Sequence, residues 1–360
     1  MEFYIYITND CNLNCAYCSV LLNKEHTNIP LNIQYPLVDL KKFIDKVQKE
    51  NNDKFATICF FGGEPTLDYG MIETIISNFD KVKSYEISFI LHTNGLLLSK
   101  IPDKLASKID VVFVSLNYDK LFNDGRISNY YLNISKSLHS IKQKNKISVI
   151  GRLTITNETS LTTACVLMEN AFDYVYWQID NREQVDGIIE YKTIYKAEIT
   201  TLFDYWLSNL KSGKILNYIP FLSIVKNLVD STPAPKNYFC GYGFYSVFIQ
   251  TDGTCYTCCE AVESSKHKIG DIHNGIKFVD MNIANPKCLN CLYLKLCGGR
   301  CGRMHKDFSQ KRINDFCELN IFTFKLFIDA LPQLQQILNE NTDFRQALND
   351  YHIDYTEQTP

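Results

Sequence analysis

The stretch "CNLNCAYC", residues 11–18, holds Cys11, Cys15 and Cys18 with three and two residues between them. A tetrahedral zinc site or a fully ligated 4Fe-4S cluster takes four protein ligands, so this compact triad leaves one metal coordination position open to a small molecule. The triad follows at once on "FYIYIT" (3–8), which reads as a strand.

Composition bounds what that molecule can meet. The chain has 360 residues, 46% of them hydrophobic, and a formal charge of −3. Such a length buries a large core and suggests two or three domains. Lys and Arg are interspersed with Asp and Glu, so a nucleic acid partner is not expected. The first eight residues lack the basic start, apolar run and cleavage site of a secretory signal, and no 18-residue apolar stretch follows. The expectation is a cytoplasmic protein with no membrane partner, a setting in which fourteen cysteines point to metal ligation before disulfides. Three of them lie in 11–18, Cys59 and Cys165 are isolated within apolar runs, and nine crowd into 240–317. The isolated two read as small core residues.

Along the first 180 residues, "FYIYIT" (3–8), "FATICFF" (55–61), "YEISFILHT" (85–93), "DVVFVSL" (110–116), "ISVIGRLTI" (147–155) and "YVYWQID" (174–180) have strand character. Between them "LVDLKKFIDKVQKE", "YGMIETIISNF" and "YYLNISKSLHSIKQ" have helical spacing. Six apolar strands separated by helices predict an α/β fold with a parallel sheet, a partial (β/α)6 TIM-like barrel short of the full eight strands. Chemistry in such folds collects at the C-terminal ends of the strands. The triad follows strand one, "GGEP" (62–65) strand two and "TNG" (93–95) strand three, while Ser115 and Arg152 fall near the ends of strands four and five.

These motifs together resemble the radical S-adenosylmethionine (SAM) superfamily, whose C-x3-C-x-aromatic-C signature is met by Cys11, Cys15, Tyr17 and Cys18. The resemblance implies a 4Fe-4S cluster on the three cysteines, with the open iron chelated by the amino and carboxylate groups of SAM. One electron then cleaves the sulfonium to a 5′-deoxyadenosyl radical that abstracts hydrogen from the substrate. It also implies SAM contacts. Gly62, Gly63 and Glu64 would accept from the amino group, with Pro65 stiffening the turn; Arg152 would take the carboxylate; Asn94 and Ser115 would bond the ribose or the carboxylate; and residues around Tyr17 would lie against the adenine. An isolated GGEP is ordinarily a turn and an isolated arginine ordinarily a surface group; only their shared rim argues otherwise. His92 is read as a packing residue.

The second cysteine region reads Cys240, twelve residues, Gly253, four residues, Cys258, and then Cys288, Cys291, Cys297, Cys301 and Cys317 as C-x2-C-x5-C-x3-C-x15-C. This order resembles the SPASM extension, which carries two auxiliary 4Fe-4S clusters. By that resemblance Cys288, Cys291, Cys297 and Cys317 hold the outer cluster, and Cys240, Cys258 and Cys301 the inner one. Its fourth ligand is expected from Cys255, with Cys259 as the other candidate in the hairpin "IQTDGTCYTCC" (249–259), the alternative being an open iron that binds substrate. Alternation along a strand would set Cys255 and Cys259 on one face and Cys258 on the other. The domain expectation is a barrel at 1–194, a helical bridge and linker at 195–235, the cluster domain at 236–320, and a C-terminal helix broken by Pro332 with a polar tail at 321–360.

The resemblance implies an enzyme that abstracts hydrogen from a ribosomally made precursor peptide and forms an oxidative crosslink, either a thioether or a carbon–carbon bond of cyclophane type. An electron donor is required. Strand one begins at residue 3, so a leader-gripping domain is not expected ahead of it, and the leader would be held elsewhere on this chain or by a separate protein. One alternative is an anaerobic sulfatase maturase that makes formylglycine. In those enzymes Gln usually precedes GGEP and an acid follows the inner-cluster cysteine, where this chain has Phe61 and Cys259. Another alternative is a non-catalytic iron–sulfur or zinc scaffold. No residue is assigned as catalytic acid or base. Three 4Fe-4S clusters require about twelve irons per chain on anaerobic iron and sulfide analysis, whereas a zinc scaffold gives none.

Overall fold

The computed structural model describes residues 1–15, 18, 28–156, 159–180, 188–231, 233–234, 238–262, 264–279 and 286–350. In chain order its principal elements are β1 (Glu2–Thr8), α1 (Leu37–Asn51), β2 (Phe55–Gly62), α2 (Tyr69–Phe79), β3 (Glu86–Thr93), β4 (Val111–Asn117), α3 (Asn129–Lys144), β5 (Ser148–Ile155), α4 (Leu161–Met168), β6 (Tyr174–Ile179), α5 (Ile188–Lys211) and α6 (Ile219–Val229). There follow β7 (Ser246–Ile249), β8 (Thr254–Tyr256), β9 (Lys268–Asp271), β10 (Gly275–Ile276), α7 (Gln310–Asp329), α8 (Leu331–Glu340) and α9 (Thr342–Asp350). All six strands expected in the first half are present, each end within one residue of its expected place. Among the described residues no helix is long and apolar enough to cross a membrane.

The chain forms two compact units, each assembled from separated segments. The first comprises Met1–Ser115, Asn123–Ile150 and Tyr242–Asp280; the second comprises Leu116–Phe122, Gly151–Gly241 and Met281–Pro360.

In the first unit the strand order is β10-β9-β8-β7-β1-β2-β3-β4. Strand β1 pairs in parallel with β2 on one side and with β7 on the other, and β2, β3 and β4 continue in parallel. The β7–β8, β8–β9 and β9–β10 pairs are antiparallel. Every residue of β1 is buried, as a strand covered on both faces requires. Its odd positions meet the helices: Phe3 packs edge-on against Phe43 of α1, which buries Leu40, Phe43, Ile44 and Val47 at helical spacing. Its even positions face the other way. There Tyr4 stacks on Phe248 of β7 at 4.3 Å, and Phe61, His92 and Phe113 continue an aromatic layer, with His92 stacked on Phe113 at 4.7 Å. His92 therefore packs, as expected. Asp68 and Ser128 cap α2 and α3 by accepting from the N–H groups of Met71 and Tyr131.

In the second unit β5 and β6 lie side by side. The core is an aromatic cluster on α5, α6, α7 and α9: Phe327 meets Phe203 at 4.7 Å, Phe221 at 5.0 Å and Trp206 at 5.7 Å, and Trp206 meets Phe344 at 6.1 Å. All but Phe203 are at most 1% exposed. The C-terminal region departs from the expected single helix. Helix α7 begins at Gln310, ahead of Cys317, and α8 and α9 follow it. Pro332 sits in the first turn of α8, where a missing N–H costs nothing, so the helical spacing is broken there as expected and a new helix begins. Of the expected linker at 230–237, residues 232 and 235–237 lie outside the described residues.

Replacing Phe327 with Ala leaves a void among rings that cannot collapse into it. The expected cost is about 3–5 kcal/mol, read as a lower urea midpoint by tryptophan fluorescence, to which the neighbouring Trp206 contributes.

Candidate functional site

The cysteine triad is anchored just beyond the end of β1. Gly63 N–H donates to Thr8 O and Glu64 N–H to Asp10 O, each at 2.8 Å, so the GGEP segment lies directly against the backbone that leads into Cys11. A Cβ on Gly62 would stand 2.3 Å from Thr8 O, and one on Gly63 2.1 Å from Asp10 O. Only glycine permits that approach, and Gly62 also has φ +126°. Asn9 holds the same stretch from other directions, its Nδ2 donating to Pro30 O at 3.0 Å and to Thr251 Oγ1 at 3.1 Å.

Glu64 joins this segment to the TNG turn. Its carboxylate is 1% exposed. Oε1 accepts from Thr66 N at 3.0 Å, Thr66 Oγ1 at 2.5 Å and Thr93 Oγ1 at 2.7 Å, while Oε2 accepts from Asn94 N at 2.7 Å. Burial raises its pKa above the ordinary carboxylate value, and the four donors partly offset that rise. Asn94 in turn reaches the cysteine loop: its Nδ2 donates to Asn12 Oδ1 at 2.7 Å and lies 4.0 Å from Cys11 Sγ. Its Oδ1 accepts from Leu96 N, and its backbone O accepts from the Tyr130 hydroxyl at 2.6 Å. Gly62, Gly63, Glu64, Pro65, Asn94 and the Cys11 end of the triad are thus assembled as one rim. Ser115 is half-buried on β4, on the same face as Phe113. Arg152 lies on β5 in the second unit, its Nη2 donating to Gln178 Oε1 at 2.5 Å. Tyr17 falls outside the described residues.

Tyr6 lies beside the Cys258–Cys259 segment. It is 0% exposed and its hydroxyl donates to Cys259 O at 3.4 Å. Burial lifts its pKa well above 10, and negative charge at Cys259, Cys258, Cys18 and Glu260 adds to the rise. Cys255 is elsewhere. It is fully buried, its Sγ donates to Gly253 O at 3.7 Å, and burial together with Asp271 and Asp252 drives its thiol pKa up. The alternation expected for this hairpin stops early. Strand β8 ends at Tyr256 and Cys259 opens a 3-10 turn, so Cys259 accompanies Cys258 instead of Cys255. Of the other ligands expected for the inner cluster, Cys240 and Cys301 belong to the second unit.

The four cysteines expected to hold the outer cluster come together in the second unit. Cys288, Cys291, Cys297 and Cys317 line one cavity of about 200 Å³, with Tyr293 and Phe324 among its walls. A single water needs only about 15 Å³, so the cavity has room for a polynuclear cluster. Among the described residues no three His, Cys, Asp or Glu side chains converge on a single metal ion. Burial pushes Cys297 up to about 12 and Cys288 up to about 11, with the neighbouring thiols adding to both. Thiols that resist ionising beside one another release their protons when cations bind, which couples loading to pH. The charge of Arg300 opposes the rise at Cys297 and Cys317. Gly298, Gly299 and Arg300 all have positive φ. The Arg300 guanidinium lies over Phe316 at 4.3 Å and donates to Asn320 Oδ1.

Several residues here were not anticipated. Asn12, Thr66, Thr93 and Tyr130 act through hydrogen bonds that no spacing announces. His305 was within reach of a spacing argument, being four residues after Cys301 on a helical stretch. Its Nε2 lies 3.7 Å from Cys288 Sγ.

Residues 5–159 match the family model described as the Radical SAM superfamily. Among curated proteins, the radical SAM cyclopropyl synthase TigE of Paramaledivibacter caminithermalis is 23% identical over 92% of this chain and 73% of its own length. The GTP 3′,8-cyclase of Clostridium perfringens is 27% identical over 59% of this chain and 64% of its own. Among solved structures, anSMEcpe with bound AdoMet aligns at a TM-score of 0.74 and 19% identity, over 98% of this chain and 99% of that one. Streptococcus suis SuiB bound to S-adenosylmethionine aligns at 0.57 and 18%, over 86% and 74%. The α/β fold with a partial barrel is the fold shared with these structures.

Glu64→Gln places an amine opposite either Asn94 N–H or the Thr66 and Thr93 donors, whichever way the amide turns. Leaving one buried donor unsatisfied costs about 1–3 kcal/mol. The variant is expected to have a lower thermal midpoint and a lower affinity for SAM by calorimetry.

Proposed function

We propose, from the match of residues 5–159 to the Radical SAM superfamily model, that this enzyme cleaves SAM to modify a ribosomally made peptide, closing an oxidative crosslink within it. The cavity walled by Cys288, Cys291, Cys297 and Cys317 carries the proposal, because it adds to the region matched by the radical SAM model a second, thiol-lined site with room for a polynuclear iron–sulfur cluster. Resemblance points the same way. TigE, similar over 92% of the chain, is named for making a cyclopropyl group, an intramolecular carbon–carbon linkage. SuiB is described in complex with a precursor peptide, and anSMEcpe in complex with a Cys-containing peptide. The likeness to the GTP cyclase spans a smaller share, 59%, of the chain.

The residues divide the work by position. Cys11, Cys15 and Cys18 would hold the cluster whose open iron binds SAM, and when bound that cluster supplies the electron for cleavage. Gly62 and Gly63 bring their backbone against the triad's base, while Glu64 and Asn94 lock the rim. Arg152 and Ser115 would meet the carboxylate and ribose, and residues about Tyr17 the adenine. A crosslink removes two hydrogens: one leaves as an atom to the 5′-deoxyadenosyl radical, and the other as a proton and an electron. The auxiliary clusters would supply a one-electron acceptor when bound. Cys240, Cys258 and Cys301 would hold the inner one, completed by Cys255 or Cys259. Phe61 is locked into the aromatic layer by Tyr4, Tyr6 and His92, and Cys259 occupies the position where formylglycine-forming enzymes carry an acid. Both features favour crosslinking over formylglycine formation.

Reduced enzyme incubated anaerobically with SAM and peptides from short reading frames beside its gene is expected to release 5′-deoxyadenosine and a product two daltons lighter. Cys15→Ala should do neither. Aldehyde formation on a sulfatase-derived Cys or Ser peptide would replace the crosslinking proposal with formylglycine synthesis.

A further inference from the structure

One histidine bridges the sequence positions of the two auxiliary cysteine sets. Cys301 precedes the short helix Gly302–Asp307, and His305 N–H donates back to Cys301 O at 3.4 Å. The same helix turns the His305 ring toward the outer set. Its Nε2 lies 3.0 Å from Gly299 O and 3.7 Å from Cys288 Sγ. A carbonyl only accepts, so Nε2 carries the proton and presents one N–H to both the carbonyl and the sulfur. The Gly299 carbonyl belongs to the left-handed turn at 298–300, where a Cβ on Gly298 would meet Phe239 at 2.3 Å. Tyr238 covers the ring at 5.8 Å and 28°. The imidazole is therefore set in orientation by its own helix, by the turn and by a neighbouring ring.

We infer that His305 is a positioning residue that donates Nε2–H to the sulfur of Cys288 and so raises the reduction potential of the outer cluster. The inference rests on reading the four-cysteine cavity as a cluster site. A donor aimed at a ligand sulfur stabilises the reduced cluster more than the oxidised one, because reduction adds negative charge to the sulfurs. A more positive potential makes this cluster a better acceptor for the electron that crosslinking must discard. His305 does this without touching peptide or SAM.

The test compares the full-length chain, anaerobically reconstituted, as wild type, His305→Phe and His305→Gln. The Phe variant keeps a ring against Tyr238 and loses the donor; the Gln variant keeps an N–H donor. The outer cluster is identified as the paramagnetic signal lost in Cys317→Ala, and its potential is measured by redox titration followed by electron paramagnetic resonance. At equal iron content, His305→Phe is expected to shift the one-electron reduction equilibrium about tenfold toward the oxidised form, 59 mV more negative, and His305→Gln to recover most of that shift. Unchanged potentials at equal iron would overturn the assignment. Should the Phe variant lose iron, the wild type itself decides: with histidine alone labelled with nitrogen-15, electron–nuclear double resonance on the reduced outer cluster must show histidine coupling, and its absence overturns the inference. A wild type without any Cys317-dependent signal overturns the cluster reading along with it, whereas a present signal with an unmoved potential overturns His305 alone.

Discussion

Two backbone segments in contact, Thr8–Asp10 and Gly62–Glu64, govern what the first unit can do. The oxygens of Thr8 and Asp10 occupy the space in which side chains at 62 and 63 would begin. Because the segments touch through backbone alone, the hydrogen bonds from Gly63 and Glu64 place the start of the cysteine loop relative to strand β2. Glu64 then carries that order across to β3 through Thr93 and Asn94, and Asn94 returns it to Asn12 beside Cys11. Hydrogen bonds at Thr8, Asp10 and Asn12 thus tie the start of the cysteine segment to a defined rim.

The second unit reaches its order by a different route. Its helices are fastened by large rings that pack edge to face, with Phe327 in contact with Phe203, Trp206 and Phe221. That rigid base matters for the cavity, because Cys317 projects from α7, the same helix that carries Phe327. Cys288 and Cys297 come from short helical turns and Cys291 from the stretch between them. Arg300, held over Phe316, supplies positive charge to thiols that would otherwise repel one another on ionising.

Much of this was legible beforehand. The six strands are apolar on both faces and bounded by turns, so hydrophobic runs marked their ends closely, and helical periodicity located α1, α2 and α3. The grouping of Cys288, Cys291, Cys297 and Cys317 was implied by the resemblance of the cysteine order to the SPASM extension, and these four line one cavity. The orientation of Cys259 did not, since strand alternation holds only while the strand lasts and β8 stops at Tyr256. Pro332 was read as a break in helical spacing, and it lies in the first turn of the helix that follows the break, because proline is as compatible with a first turn as it is disruptive in a middle one.

The amino-acid order alone determined the class of elements and the positions of the cysteine sets, since each depends on local chemistry and short-range periodicity. Only the tertiary structure decided that β7, about 240 residues further along, would pair with β1 and stack Phe248 on Tyr4. It also decided that Glu64 would spend its carboxylate on Thr66, Thr93 and Asn94, and that His305 would turn toward Cys288. Strand partners and buried hydrogen-bond partners are selected by competition among all segments for the same edge or the same donor, and that competition leaves no periodic trace in any one of them.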